Sequence, residues 1–251
     1  MRVGLIGAGS MARALARGWG DPVLCSDAGS GRARALVQEL GGEEAGSNRG
    51  VAQGSDLVVL CHKPGALAAV AAELAGAVKA VASVLGGTPI AALQDAYPGV
   101  PVLRLMPNTP VEVRRGVVCY CPAPGVEPRL EADVVALLER LGTVIALEER
   151  LLDPATAVMG VGPAYQALLV EAQVDAAVRH GLEAALASRL VIETMAGSAA
   201  LLAARGADTL TVRREVTSPG GSTARGLQAL EQGGVRSAFG AAIDAVLCGG
   251  R

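Results

Sequence analysis

Two groups of residues in this sequence carry chemistry that a packed core would not need. The first is the run Gly7-Ala8-Gly9-Ser10-Met11-Ala12, placed directly after a short apolar segment and directly before a helical pattern. Glycine at the first position permits a tight turn. At the second it lets the backbone approach a diphosphate with no Cβ in the way, and a small third residue, Ala12, keeps the helix close to the strand. Amides of Gly9, Ser10 and Met11 at the start of that helix then suit the diphosphate of a dinucleotide, helped by the helix dipole. The second group is Thr217-Ser218-Pro219-Gly220-Gly221-Ser222-Thr223. Pro219 stiffens the loop, while Gly220 and Gly221 free its backbone just ahead of a helical segment. Amides of Ser218, Gly220, Gly221 and Ser222 there suit a carboxylate, and Thr223 offers a hydroxyl. Ser222 or Thr223 is equally suited to capping the helix.

The choice of dinucleotide turns on the end of the second strand. Asp27 stands 20 residues after Gly7, where a carboxylate can accept from a ribose 2′-hydroxyl. Ser26, Ser30 and Arg32 stand close by and suit a 2′-phosphate instead, and Asp27 is almost as well suited to capping the following helix. The expected cofactor is NADPH or NADH, with a slight preference for NADPH.

Elements that would position these groups fall into two halves. Up to about Leu147, short β-branched runs alternate with amphipathic helical stretches. Strands are expected at Val3–Ile6, Val23–Ser26, Leu57–Cys61, Ala80–Leu85, Val102–Met106, Val117–Cys121 and Val144–Leu147. Helices are expected at Met11–Trp19, Arg32–Leu40 and Ala66–Ala77. Nearly continuous hydrophobicity in the first strands is what a parallel sheet covered by helices on both faces requires. The fold class is therefore α/β, a Rossmann-type doubly wound sheet over residues 1–150. After Arg150 the strand pattern disappears, and residues 151–251 read as an all-helical domain. Its helix over Glu183–Ala204 is apolar on nearly every face, more than a small domain can cover. A subunit interface is the expected cover, which makes the chain a homodimer or larger homo-oligomer.

Composition excludes several classes. A formal net charge of −2 gives no electrostatic case for a nucleic-acid partner. Cys25, Cys61, Cys119, Cys121 and Cys248 contain no CxxC pair, and His62 and His180 are the only histidines. Reduced thiols, no metal site and a cytoplasmic location follow. The amino terminus enters a strand with no signal peptide. The longest uncharged stretch, Ala80–Gln94, is broken by Gly86-Gly87 and Pro89 and is too short for a bilayer, so no membrane partner is expected. With aromatics at only 2%, Ala, Val and Leu must fill the core.

Four further stretches, in order along nearly the whole chain, resemble the pyrroline-5-carboxylate reductase family. His62-Lys63-Pro64 follows a strand where that family has an aliphatic residue before Lys-Pro. Met106-Pro107-Asn108-Thr109-Pro110 matches its MPNTP, and Gly162-Pro163-Ala164-Tyr165 the end of its SGSGPAY element. Thr217–Thr223 matches its TSPGG(T/S)T loop, the most specific of the four. The resemblance implies NAD(P)H-dependent reduction of the cyclic imine 1-pyrroline-5-carboxylate to L-proline, within proline biosynthesis. It assigns Ser47-Asn48 to the adenosine side of the cofactor, and Lys63, Pro64, Asn108 and Thr109 to the nicotinamide side; His62, which departs from the family pattern, reads as a loop residue beside the cofactor or as a proton donor. It assigns Ser218–Ser222 to the imino-acid substrate and Thr223 to the imine nitrogen, with the two sets of residues converging on one crevice. Met159 and Val161 stand where the family has serines, which leaves open a related imine or oxo-acid reductase, or a catalytically weak cofactor-binding paralogue.

Overall fold

The computed structural model describes residues 1–249, and the chain divides into two compact units, Met1–Pro163 and the residues from Ala164 onward. The segment 151–163, expected with the helical half, is grouped with the first unit.

An eight-stranded sheet forms the first unit: β1 Val3–Ile6, β2 Val23–Ser26, β3 Gly42–Glu44, β4 Leu57–Leu60, β5 Val81–Ser83, β6 Val102–Pro107, β7 Gly116–Pro122 and β8 Gly142–Ala146. The helices beside it are α1 Ser10–Trp19, α2 Arg32–Leu40, α3 Asn48–Gln53, α4 Leu67–Leu74, α5 Ile90–Ala96, α6 Pro128–Glu139 and α7 Leu152–Ala155, the last followed by a π-turn over Thr156–Gly160. Strand side chains alternate between two buried layers. Leu57 and Val59 of β4 pack with α1 and α2 residues such as Leu15 and Leu36, whereas Val58 and Leu60 pack with Val51 and Leu74 of α3 and α4. That alternation is the period of two, buried on both sides, that apolar runs in a covered sheet produce.

The strand order is β3-β2-β1-β4-β5-β6-β7-β8, so the chain reverses its direction of travel across the sheet between β1 and β4. Ligands of open α/β sheets bind at such a switch point, outside the carboxyl ends of the strands. Here those ends carry Gly7 and the Cys61-His62-Lys63 segment. They are stitched together by Gly7 N–H donating to Ser26 O at 2.9 Å and Cys61 N–H donating to Ile6 O at 2.8 Å.

Two features depart from the sequence-based expectation. β3 was not anticipated, because Gly42-Glu43-Glu44 is an exposed edge strand with no apolar residue to signal it. The sheet is not wholly parallel either: β7 runs antiparallel to β6, with Met106 opposite Cys119. A parallel crossover needs a dozen or more residues, and the link Asn108–Arg115, wound into a 3₁₀ turn over Thr109–Val113, is too short.

The second unit is helical: α8 Gly162–Arg179, whose first residues precede the division, α9 Ala184–Ala204, α10 Thr209–Glu215, α11 Ser222–Gln232 and α12 Val235–Cys248. Ala187 is buried, while Leu168, Leu186, Leu190, Ile192 and Leu201 are exposed. α9 is long and apolar enough to cross a membrane by length and composition, with 6% of its most apolar window buried. It carries Arg189 and Glu193 mid-helix, residues that a bilayer centre disfavours.

Candidate dinucleotide and carboxylate sites

Gly7 and Gly9 are glycines for different reasons. Gly7 adopts φ +93°, and a Cβ there would lie 2.8 Å from the Cys61 carbonyl and the His62 nitrogen. The fold alone demands glycine at that position. Gly9 has φ −73°, and a Cβ on it would meet no protein atom within 4 Å. What glycine leaves there is room for a ligand. α1 begins on Gly9 with no side-chain cap and no acidic residue in its first turn. Its first intrahelical bond runs from Arg13 N–H to Gly9 O at 3.0 Å, so the amides of Ser10, Met11 and Ala12 carry none. Ala12 is fully buried. The residues present fit the diphosphate of a dinucleotide.

At the end of β2 the Asp27 carboxylate is bonded within its own loop. Asp27 Oδ1 accepts from Gly29 N–H at 2.8 Å and Ser30 N–H at 3.1 Å, and Oδ2 from Ser30 Oγ at 2.7 Å and Ala33 N–H at 3.0 Å. Desolvation pushes this carboxyl up. The hydrogen bonds from Ala33, Ser30, Gly29 and Arg32 outweigh it and hold the pKa at about 2. Asp27 therefore ties the loop to the start of α2, and its acceptor positions are engaged. Ser26 is buried and donates to Asn48 Oδ1 at 2.7 Å, while Asn48 Nδ2 donates to Glu73 at 2.8 Å. Ser47 caps α3 by accepting from Gly50 N–H at 3.1 Å. Arg34 pairs with Glu44 at 3.1 Å, whereas Arg32, the first residue of α2, has no side-chain partner among the described residues.

At the end of β4, burial pushes the Cys61 thiol up to about 12, so it is an inert thiol. His62 Nδ1 lies 2.9 Å from Lys63 O, which requires Nδ1 to carry the hydrogen, and Nε2 is buried without a partner among the described residues. Lys63 and Pro64 are exposed, and Lys63 opens the 3₁₀ turn Pro64–Ala66. Past β6, Thr109 is exposed but Asn108 is buried. Asn108 Oδ1 accepts from Val117 N–H at 2.8 Å and Nδ2 donates to Met159 O at 3.1 Å. The Met159 side chain packs against Met106, Cys119 and Leu152.

Sequence reasoning missed Arg104. It is buried in β6, its Nη1 3.2 Å from Glu149 and its Nη2 2.9 Å from Asp153. Glu149 also accepts from the amide of Ile90 at 2.6 Å, at the start of α5. An arginine inside the apolar run Val102–Met106 was the available signal.

The loop ahead of α11 is built as a type II turn. Gly221 N–H donates to Ser218 O at 3.0 Å, Pro219 occupies the second position, and Gly220 the third with φ +68°. Thr217 Oγ1 donates to Arg213 O at 2.6 Å, closing the end of α10, and Arg225 Nη1 donates to Gly220 O at 2.8 Å. The N-cap residue of α11 is Gly221, with no side-chain cap. Ser222 and Thr223 are thus the first and second helical residues, and neither hydroxyl caps the helix. The first turn has no acidic residue, so its leading amides suit an anion. Tyr165 is a packing residue: its ring meets Phe239 edge-on, with centroids 6.4 Å apart.

Two families match the chain over separate stretches. The family described as pyrroline-5-carboxylate reductase dimerisation matches residues 149–248, and that described as NADP oxidoreductase coenzyme F420-dependent matches residues 2–87. Pyrroline-5-carboxylate reductase 3 of Macaca fascicularis is 34% identical over 260 residues, covering 100% of this chain and 95% of the relative. Pyrroline-5-carboxylate reductase of Synechocystis is 37% identical over 201 residues, 79% of this chain and 74% of the relative. Among solved structures, Plasmodium falciparum pyrroline carboxylate reductase with NADP bound superposes with a TM-score of 0.88 at 27% identity, covering 100% of this chain and 97% of that one.

Proposed function

Because the chain belongs to the pyrroline-5-carboxylate reductase family, we propose that it reduces the C=N bond of 1-pyrroline-5-carboxylate to L-proline, using a nicotinamide dinucleotide. The observation that carries this is the match along the whole chain, dinucleotide half and helical half together. When bound, the nicotinamide supplies the hydride. The amides of Ser10 and Met11, with the open face of Gly9, hold the diphosphate. His62, Lys63, Pro64 and Thr109 border the nicotinamide end, while Ser26, Asp27 and Asn48 shape the adenosine end. NADPH is the preferred cofactor: Asp27 has its acceptor positions engaged, and Arg32 is left to meet a 2′-phosphate.

In the helical unit, Ser218, Gly220, Gly221 and Ser222 receive the substrate carboxylate on the turn and the leading amides of α11. A cyclic imine near neutral pH carries a protonated fraction that can bind as the iminium, so no strong acid is needed. Thr223 Oγ1 accepts from that iminium N–H and orients the ring. The alternative of a reshaped pocket rested on Met159 and Val161, and Met159 spends its side chain on the core beside Met106 and Leu152.

The exposed apolar surface of α8 and α9 supports a homodimer or larger assembly, as the dimerisation match also does. The five free cysteines support a reducing, cytoplasmic location. The test of function is NADPH oxidation with 1-pyrroline-5-carboxylate beside other cyclic imines and short oxo-acids. Preference for one of the latter would replace this substrate assignment.

A further inference from the structure

Two residues beyond the Thr217–Thr223 run stands Arg225, the fourth residue of α11. Helical side chains lean towards the N-terminus of their helix, and this one reaches back to the turn before it, where Nη1 donates to Gly220 O at 2.8 Å. The Arg225 backbone N–H donates to Gly221 O at 3.2 Å, the first bond of the helix, so the amides of Ser222, Thr223 and Ala224 carry none. Guanidinium and free amides therefore stand at one turn. The turn is also tight: a Cβ on Gly221 would collide with Ser218 Oγ, so glycine there lets the Ser218 hydroxyl close over it.

Arg225 is exposed and has no carboxylate partner among the described residues. The acids that flank it in sequence are already held, Glu215 by Arg205 at 2.9 Å and Glu231 by Arg236 at 2.8 Å. Its bond to Gly220 O engages one of the five N–H donors of a guanidinium. The others form a planar fork that matches a carboxylate. Amides at a helix start carry about half a positive charge between them, whereas Arg225 brings a full one to the same turn.

We propose that Arg225 is a specificity-determining residue of the reductase: anchored on Gly220 O, its guanidinium pairs with the substrate carboxylate and makes the turn select imines that bear one. This rests on the reductase reading above. Arg225→Lys, Arg225→Ala and Arg225→Glu form a charge series at this one exposed position. In the full-length enzyme the preference for 1-pyrroline-5-carboxylate over 1-pyrroline, as a ratio of kcat/KM, should fall about tenfold in Arg225→Ala. It should fall less in Arg225→Lys and further in Arg225→Glu, with NADPH affinity within about twofold of wild type throughout. KM of the wild type for the carboxylate-bearing imine should rise with salt, and that dependence should flatten in Arg225→Ala. Arg214, in the last turn of α10, also lacks a side-chain partner among the described residues, and Arg214→Ala should leave the preference intact. Equal effects of Arg225→Ala and Arg225→Glu with an unaltered salt dependence would make Arg225 a brace of the turn and overturn the proposal. So would a wild-type preference in all three variants, or an equal loss in Arg214→Ala. A wild type that reduces both imines equally well would overturn it too while leaving imine reduction in place. A wild type inert towards both would remove the reductase reading itself, and this proposal with it.

Discussion

Replacing Thr223 by alanine separates a substrate hydroxyl from a structural one. Thr223 is the second residue of α11, whose cap is Gly221 without any side-chain bond. Had it been the cap, its loss would cost about 1 kcal/mol of stability. In a helical position, Thr→Ala is instead worth a few tenths of a kcal/mol in favour of the folded state, about 0.5 by intrinsic propensity. The expected melting temperature is unchanged or slightly raised. A hydroxyl that meets a charged imine nitrogen in the transition state contributes about 1.5–3 kcal/mol, so turnover should fall roughly ten- to a hundredfold. NADPH affinity, set in the other unit, should stay at the wild-type value. Steady-state NADPH oxidation and a thermal melt on one preparation supply both numbers. A lowered melting temperature with wild-type turnover would refute the reasoning and return Thr223 to the helix.

Gly9→Val should abolish binding of both NADPH and NADH by calorimetry while leaving the melting temperature near wild type, since a Cβ there meets no protein atom; Gly7→Ala, at φ +93° and against the Cys61 carbonyl, should destabilise the fold itself. Asp27→Asn should lower stability by about 1 kcal/mol at neutral pH through the loop and cap it holds. Because the folded pKa of Asp27 is depressed to about 2, that contribution is complete above the ordinary aspartate value of about 4 and is lost as pH falls through about 2. Melting temperatures of the wild type and the Asp27→Asn variant should therefore converge in acid. Arg32→Ala should weaken NADPH binding severalfold and leave NADH binding unchanged; equal losses for both would take Arg32 away from the 2′-phosphate.

Much of the fold was legible because β1, β2 and β4 are short apolar runs buried on both faces and alternating with helical stretches, the pattern a covered parallel sheet requires. β3 was not, since Gly42-Glu43-Glu44 pairs through backbone alone at an exposed edge. Nor was the reversal of β7, because alternation is the same in either strand direction and only the short link from Asn108 to Arg115 betrays it. For the site, residue types at Gly7, Gly9 and Ser218–Thr223 pointed to chemistry that the geometry of both turns suits, but two roles needed coordinates. Asp27 reads almost as readily as a cap as it does as a ribose acceptor, and its four hydrogen bonds to its own loop are visible only in the fold. Asn108 between two prolines reads as a turn residue, and its bonds to Val117 and Met159 join segments that no local spacing connects. Arg104, Glu149 and Asp153 went unread because a charge cluster assembled from β6 and the segment after β8 has no local spacing either.

Reduction of a carboxylate-bearing cyclic imine with NADPH is the central claim. The most direct measurement is the rate of NADPH oxidation by the purified protein with 1-pyrroline-5-carboxylate and, in parallel, with 1-pyrroline, which lacks the carboxylate. Stoichiometric formation of L-proline and a clear preference for the carboxylate-bearing imine are the expected results. NADPH binding without turnover of either imine would contradict the claim.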